Sequence, residues 1–176
     1  MKKYVVFVFS LMLLSVSAQE QISKAEKKKL KQEKAELEYQ KTKDIVESDA
    51  YTFVALQAAP LGGGQFFVNT IRNYINVNEG EADLYLPYFG VVRAPNGYSP
   101  EAGIKFKGEL ENYTISFDDE KQEIVVSFEI QRGHERHEFN FNMYKAGAAS
   151  LVVASSRRNS IAYNGLITEL EPPLTN

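Results

Sequence analysis

After residue 50 the chain alternates apolar and polar positions almost one for one. That is the two-residue period of a strand with one buried face. The pattern predicts strands over 51–58, 71–77, 82–86, 103–108, 113–117, 124–131, 139–144, 150–155 and 161–170, with a shorter one at 65–69. Turn residues sit between them: Asn78-Glu79-Gly80-Glu81, Asp118 to Lys121, Gly133-His134, Ala146-Gly147 and Arg157-Arg158-Asn159. Pro87 removes a ladder donor and closes the strand before it.

Registers follow from keeping apolar side chains on one face. In the first hairpin Val77 is set opposite Ala82, Ile75 opposite Leu84, and Asn73 opposite Leu86. A two-residue turn at Gly133-His134, glycine first, sets Arg132 opposite Glu135. Phe128 then faces Phe139, Val126 faces Phe141, and Ile124 faces Met143. A loop at 118–121 would set Phe117 against Gln122, Ile115 against Ile124, and Tyr113 against Val126. Ile161, Tyr163 and Ile167 share a face on which Gly165 stands where a side chain is missing, a signature of a bulge, a bend or a close backbone approach. About eight or nine strands joined by short turns form a meander, which must curl to bury its apolar face. The expected fold is mainly β: a compact antiparallel barrel or strongly curved sandwich over 50–171, preceded by one long charged helix.

That helix is expected over Glu20–Asp49, opened by the capping box Ser23-Lys24-Ala25-Glu26 and free of Gly and Pro. It lacks the sustained apolar heptads of a coiled coil. It reads as a solvated stalk over 19–49 that seats only at its C-terminal end, through Leu37, Ile45 and Val46. Residues 1–18 carry Lys2 and Lys3, an apolar run and Val16-Ser17-Ala18, the layout of a cleaved secretory signal. The expected address is periplasmic or secreted, with no lipid-anchoring cysteine after the cut and no membrane span once the signal is gone. Pro172-Pro173 closes the ordered chain, leaving 172–176 as a disordered tail.

Composition narrows function mostly by exclusion. The net charge of −3 offers no basic excess for phosphates, so nucleic acid is not an expected partner. There is no cysteine, hence no disulfide and no thiol chemistry. No nucleophile elbow, HExxH or phosphate loop occurs; Gly62-Gly63-Gly64 is followed by neither Lys-Ser/Thr nor a helix. His134 and His137 flank a turn rather than share a helix face, so neither a metal nor another cofactor is expected. Acidic residues fall in turns or on polar strand faces, and an enzyme is not expected.

One aromatic group falls outside the core period. Tyr85, Tyr88, Phe89 and Tyr98, with Arg93, bracket the irregular stretch 91–102 at one barrel end. Two readings stand. Tyr88 and Phe89 plug the barrel, or the five residues line a mouth for a small amphiphile, glycan or peptide. A third possibility moves function to the helix, as the partner arm of an envelope protein.

Leu86-Pro87-Tyr88-Phe89-Gly90, the Gly-Ile-x-Phe strand at 103–106, and Ser-x-x-Arg followed by Ile-x-Tyr-x-Gly within Ser155 to Gly165 resemble the domain-of-unknown-function family 4251. The likeness spans about residues 45–170. It implies an extracytoplasmic β-domain of the kind secreted mostly by Bacteroidota. It implies no activity and carries over no catalytic residue.

Overall fold

The computed structural model describes residues 24–89 and 103–170. The expected signal, the capping serine Ser23, the 172–176 tail and the whole irregular 91–102 stretch, with Arg93 and Tyr98, lie outside the described residues. The chain divides into two compact units, 1–34 and 35–176.

Helix α1 runs Lys24–Glu47. Its described residues in the first unit are all exposed, Leu30 included, as the absence of an apolar stripe requires. In the second unit it buries Tyr39, Thr42 and Val46. Their spacing of three and then four residues makes one helix face. Leu37, expected to seat, is 64% exposed: at 100° per residue it lies opposite Val46. The side chains that seat are held by polar contacts that hydropathy does not register. Tyr39 donates to Asp119 Oδ1 at 2.8 Å, and Thr42 Oγ1 accepts from Gly147 N at 2.9 Å. Lys43 Nζ bonds both Asp119 oxygens at 2.8 and 3.0 Å and lies 5.1 Å from the Phe117 ring centre.

Ten strands follow among the described residues: β1 (Ala50–Pro60), β2 (Phe66–Phe67), β3 (Tyr74–Asn78), β4 (Glu81–Pro87), β5 (Gly103–Glu109), β6 (Glu111–Asp118), β7 (Glu123–Arg132), β8 (Glu135–Met143), β9 (Ala148–Ser155) and β10 (Ile161–Glu169). They pair in the order β5-β4-β3-β1-β10-β9-β8-β7-β6, with β2 added to β1. Every pairing is antiparallel. The sheet is nearly closed into a barrel. β5 and β6 run in the same direction and are separated only by Leu110. They are two halves of one bent strand, the first paired with β4 and the second with β7. The bend falls at Gly108, whose φ of +152° suits glycine alone, and Leu110 N donates to Gly80 O at 2.8 Å.

The register of β7 and β8 is the expected one throughout, from Ile124 opposite Met143 to Arg132 opposite Glu135. Val77–Ala82 and Ile75–Leu84 are likewise as expected. Two expectations are corrected. Phe117 pairs with Ile124 and Ile115 with Val126, so β6 sits two residues from the expected register. The loop is 119–122, with Lys121 N capped by Asp118 Oδ1 and Gln122 at φ +56°. Asn73 does not pair with Leu86; β3 starts at Tyr74. Asn73 is buried, accepts from Ala55 N at 2.7 Å, and donates to Val68 O and Ile71 O at 3.0 and 2.9 Å. It ties the loop before β3 to β1.

The interior is filled by rings. Phe53 meets Phe141 edge-on at 5.2 Å, Phe128 stacks on Phe139 at 4.7 Å, and Tyr113 lies 6.3 Å from Phe128. Contacts of this kind add to area burial. Gly165 lies where β1 carries a bulge between Ala55 and Gln57, leaving Leu56 turned out and 40% exposed.

Candidate functional site

The residues singled out at the ends of β4 and β10 meet at one end of the barrel. β4 carries Leu84 and Leu86 inward, then Pro87 stops the ladder and the next residue turns over the barrel end. There Tyr88 is buried, and its hydroxyl donates to Asn159 O at 2.9 Å. The Arg158 guanidinium lies 5.2 Å from the Tyr88 ring centre, a cation held against a π face. Tyr163, inward on β10, donates to Pro87 O at 2.7 Å.

Arg158 reaches its position because Ser155 folds the chain beneath it. Ser155 Oγ accepts from the backbone N of Arg157 and of Arg158, at 3.1 and 3.2 Å. The same hydroxyl donates to Glu135 Oε1 at 2.7 Å. Arg158 then pairs with Glu135, Nε to Oε1 at 2.9 Å and Nη2 to Oε2 at 3.4 Å. The paired side chains are only 5% and 15% exposed, and Arg158 Nη1 is buried with no hydrogen bond. His137, 2% exposed, completes the group. Its Nε2 lies 3.4 Å from Glu135 Oε1, yet neither ring nitrogen forms a hydrogen bond.

Burial sets the electrostatics. Desolvation alone would push Glu135 up; hydrogen bonds from Arg158 and Ser155 outweigh it and hold the carboxyl below its ordinary range. His137 is pushed down, chiefly by desolvation, against the pull of Glu135. Desolvation also raises Tyr88 and Tyr163. At neutral pH the cluster is therefore a Glu⁻/Arg⁺ pair beside a neutral imidazole.

Apolar surface adjoins this polar group. Phe89 is half-buried and stacks on Phe66 at 5.3 Å. Leu61 N donates to Ser160 O at 3.1 Å, tying that loop to the Arg158 turn. Phe66, Phe67 and Leu61 are 44%, 74% and 73% exposed.

Of the five expected site residues, Tyr88 and Phe89 belong to this end. Tyr85 does not. It points outward on β4 and packs under Lys105, whose Nζ lies 5.2 Å from its ring centre. Arg93 and Tyr98 lie outside the described residues. Hydrophobic periodicity gave no hint of Glu135 or Arg158, the ionic heart of the cluster, because it scores both as solvated turn residues. The signal that could have found them is the Ser-x-x-Arg spacing at 155–158. His134 is exposed in its turn while His137 is buried, so the two do not converge. Among the described residues no group of His, Asp and Glu is arranged to hold a metal ion, and no helix is long and apolar enough to cross a membrane.

A family model described as "Domain of unknown function (DUF4251)" matches residues 33–167. The chain belongs to the DUF4251 family. A crystal structure of a DUF4251 family protein from Bacteroides eggerthii DSM 20697 has the same fold, with a TM-score of 0.60 at 19% identity. The match covers 77% of this chain and 89% of that one. No curated protein matches this chain. The stretches that resemble the family by sequence, around Pro87-Tyr88, Ser155-x-x-Arg158 and Tyr163, are the ones this DUF4251 domain brings together at one barrel end.

Proposed function

We propose that this DUF4251 chain is an extracytoplasmic, non-catalytic binding module that holds a small anionic amphiphile at the Tyr88–Arg158 end of the barrel. The observation that carries the reading is Arg158 Nη1, buried without a hydrogen bond, at the barrel end where Phe66, 44% exposed, stacks on Phe89. A buried donor left unmade carries a desolvation cost, which a carboxylate or phosphate head would relieve. The tail would lie along Leu61 and Phe66, which water solvates poorly. Cleavage after Ala18 would deliver the module across the membrane. The ring-filled interior supports a site on the rim rather than inside the barrel.

The reading is tested by displacement of a fluorescent fatty acid from the purified protein, with lysophosphatidic acid and a neutral monoacylglycerol as competitors. Saturable binding, competition by the anionic lipid alone, and at least tenfold weakening in Phe66→Ser are expected. Phe66 is 44% exposed, so this change leaves the fold intact. Equal competition by the neutral lipid, or binding unchanged in Phe66→Ser, would refute it.

A further inference from the structure

A second site lies on the outer face of β3, β4 and β5. Ile75, Leu84 and Ile104 point inward there, so their neighbours point out. The register lines up Tyr74, Tyr85 and Lys105 in one row across the three strands, and Asn76, Asp83 and Lys107 in the next. All of these but Asn76 line a groove of about 680 Å³ that extends to Arg72 and, from the end of β7, Arg132. Its volume falls within the roughly 300–1,000 Å³ of small-ligand sites.

The groove concentrates charge of one sign on a chain whose net charge is −3. Among the described residues Arg72, Lys105, Lys107 and Arg132 line it, against one carboxylate, that of Asp83. Two of the cations rest on ring faces: Arg72 lies 5.3 Å from the Tyr74 ring centre and Lys105 5.2 Å from that of Tyr85. This contact limits the wandering of long side chains and lowers the ordering cost of meeting an anion. Asp83 accepts from the Tyr74 hydroxyl at 2.9 Å and lies 3.7 Å from Lys107. The groove therefore offers cations, two of them held on ring faces, with a hydroxyl and a carboxylate between them.

We propose that this groove binds an acidic glycan chain, one bearing carboxylate or sulfate groups. The cations meet the acid groups, and Asp83 with Tyr74 meets the sugar hydroxyls between them. A nucleic acid fits less well. Its bases need open ring faces for stacking, and here the tyrosine faces are covered by cations. Its phosphodiesters would also meet Asp83 with no hydroxyl to offer it. The site shares no residue with the barrel-end site; Arg132, at its edge, is the cross-strand partner of Glu135.

The test is affinity electrophoresis of the full chain through gels containing polygalacturonate, dextran sulfate, neutral dextran or single-stranded DNA. Retardation by one or both acidic glycans and none by neutral dextran is expected. Lys105→Glu and Lys107→Glu should each weaken binding at least tenfold, whereas Lys41→Glu, an exposed reversal on α1, should not. Both groove lysines are exposed, so the variants fold, and near-UV circular dichroism checks this. Three results overturn the proposal: no retardation by either acidic glycan, equal loss in Lys41→Glu, or DNA retained as strongly as the glycans.

Discussion

Gly165 and Val54 pass so close that a Cβ built on the glycine would lie 2.1 Å from the Val54 carbonyl oxygen. It would also lie 2.7 Å from the Phe53 ring. No rotamer change relieves contact with a backbone oxygen, so the two strands would have to part beside the β1 bulge. Gly165→Ala should destabilise the domain by about 3 kcal/mol, the upper end of overpacking costs. Gly64→Ala, where a Cβ meets nothing, should stay within about 0.5 kcal/mol of the parent. Urea denaturation of the two variants checks this.

The missing side chain at 165 was legible because strand alternation is strict on both sides of it. The same rhythm explains what was misread. Moving β6 by two residues keeps Tyr113, Ile115 and Phe117 on the same face, so apolar alternation is satisfied equally well by the expected and the observed pairing. The loop decides it, through Asp118 capping Lys121 N and Gln122 at positive φ, and neither is written in hydropathy. The β7–β8 register escaped this ambiguity because Gly133 supplies the positive φ that its two-residue turn demands. At the candidate site, Tyr88 and Phe89 stood out as aromatics beside a proline. Glu135 and Arg158 did not, since only the fold buries them.

The seating of α1 rests on Tyr39 and Thr42. Thr42→Val would leave Gly147 N without its acceptor and should cost about 2 kcal/mol. Tyr39→Phe, which keeps the ring and loses the bond to Asp119, should cost about 1 kcal/mol. Burial and the Asp119 carboxylate push Tyr39 up to about 12, from an ordinary 10.0. The folded chain therefore holds this proton more tightly than the unfolded one. The associated stability is complete below pH 10 and lost as pH rises from 10 toward 12. Denaturation midpoints measured from pH 8 to 12 should fall less steeply in Tyr39→Phe than in the parent.

Glu135 and Arg158 are coupled within one buried network. Removing the carboxylate alone, in Glu135→Ala, leaves a buried guanidinium facing a neutral imidazole and should cost about 3 kcal/mol. Arg158→Met in the same background should recover part of that loss. A double-mutant cycle by urea denaturation should give a coupling of about 2 kcal/mol; simple additivity would mean that the pair stabilises nothing beyond its separate contacts.

His137 makes the same cluster sensitive to acid. Its folded-state pKa lies below the ordinary 6.5 because burial disfavours the imidazolium. As pH falls, the unfolded chain takes up this proton first. Stability tied to His137 is full above pH 6.5 and declines as pH drops below it toward the lowered folded value. Glu135 acts in a later window. Held below its ordinary 4.5, it contributes above pH 4.5 and its contribution disappears as pH falls through the lowered value. Thermal unfolding from pH 7.5 to 3.5 should therefore show two successive declines. His137→Gln, which cannot titrate, should abolish the first and leave the second. A first decline that persists in His137→Gln would assign acid sensitivity to another group.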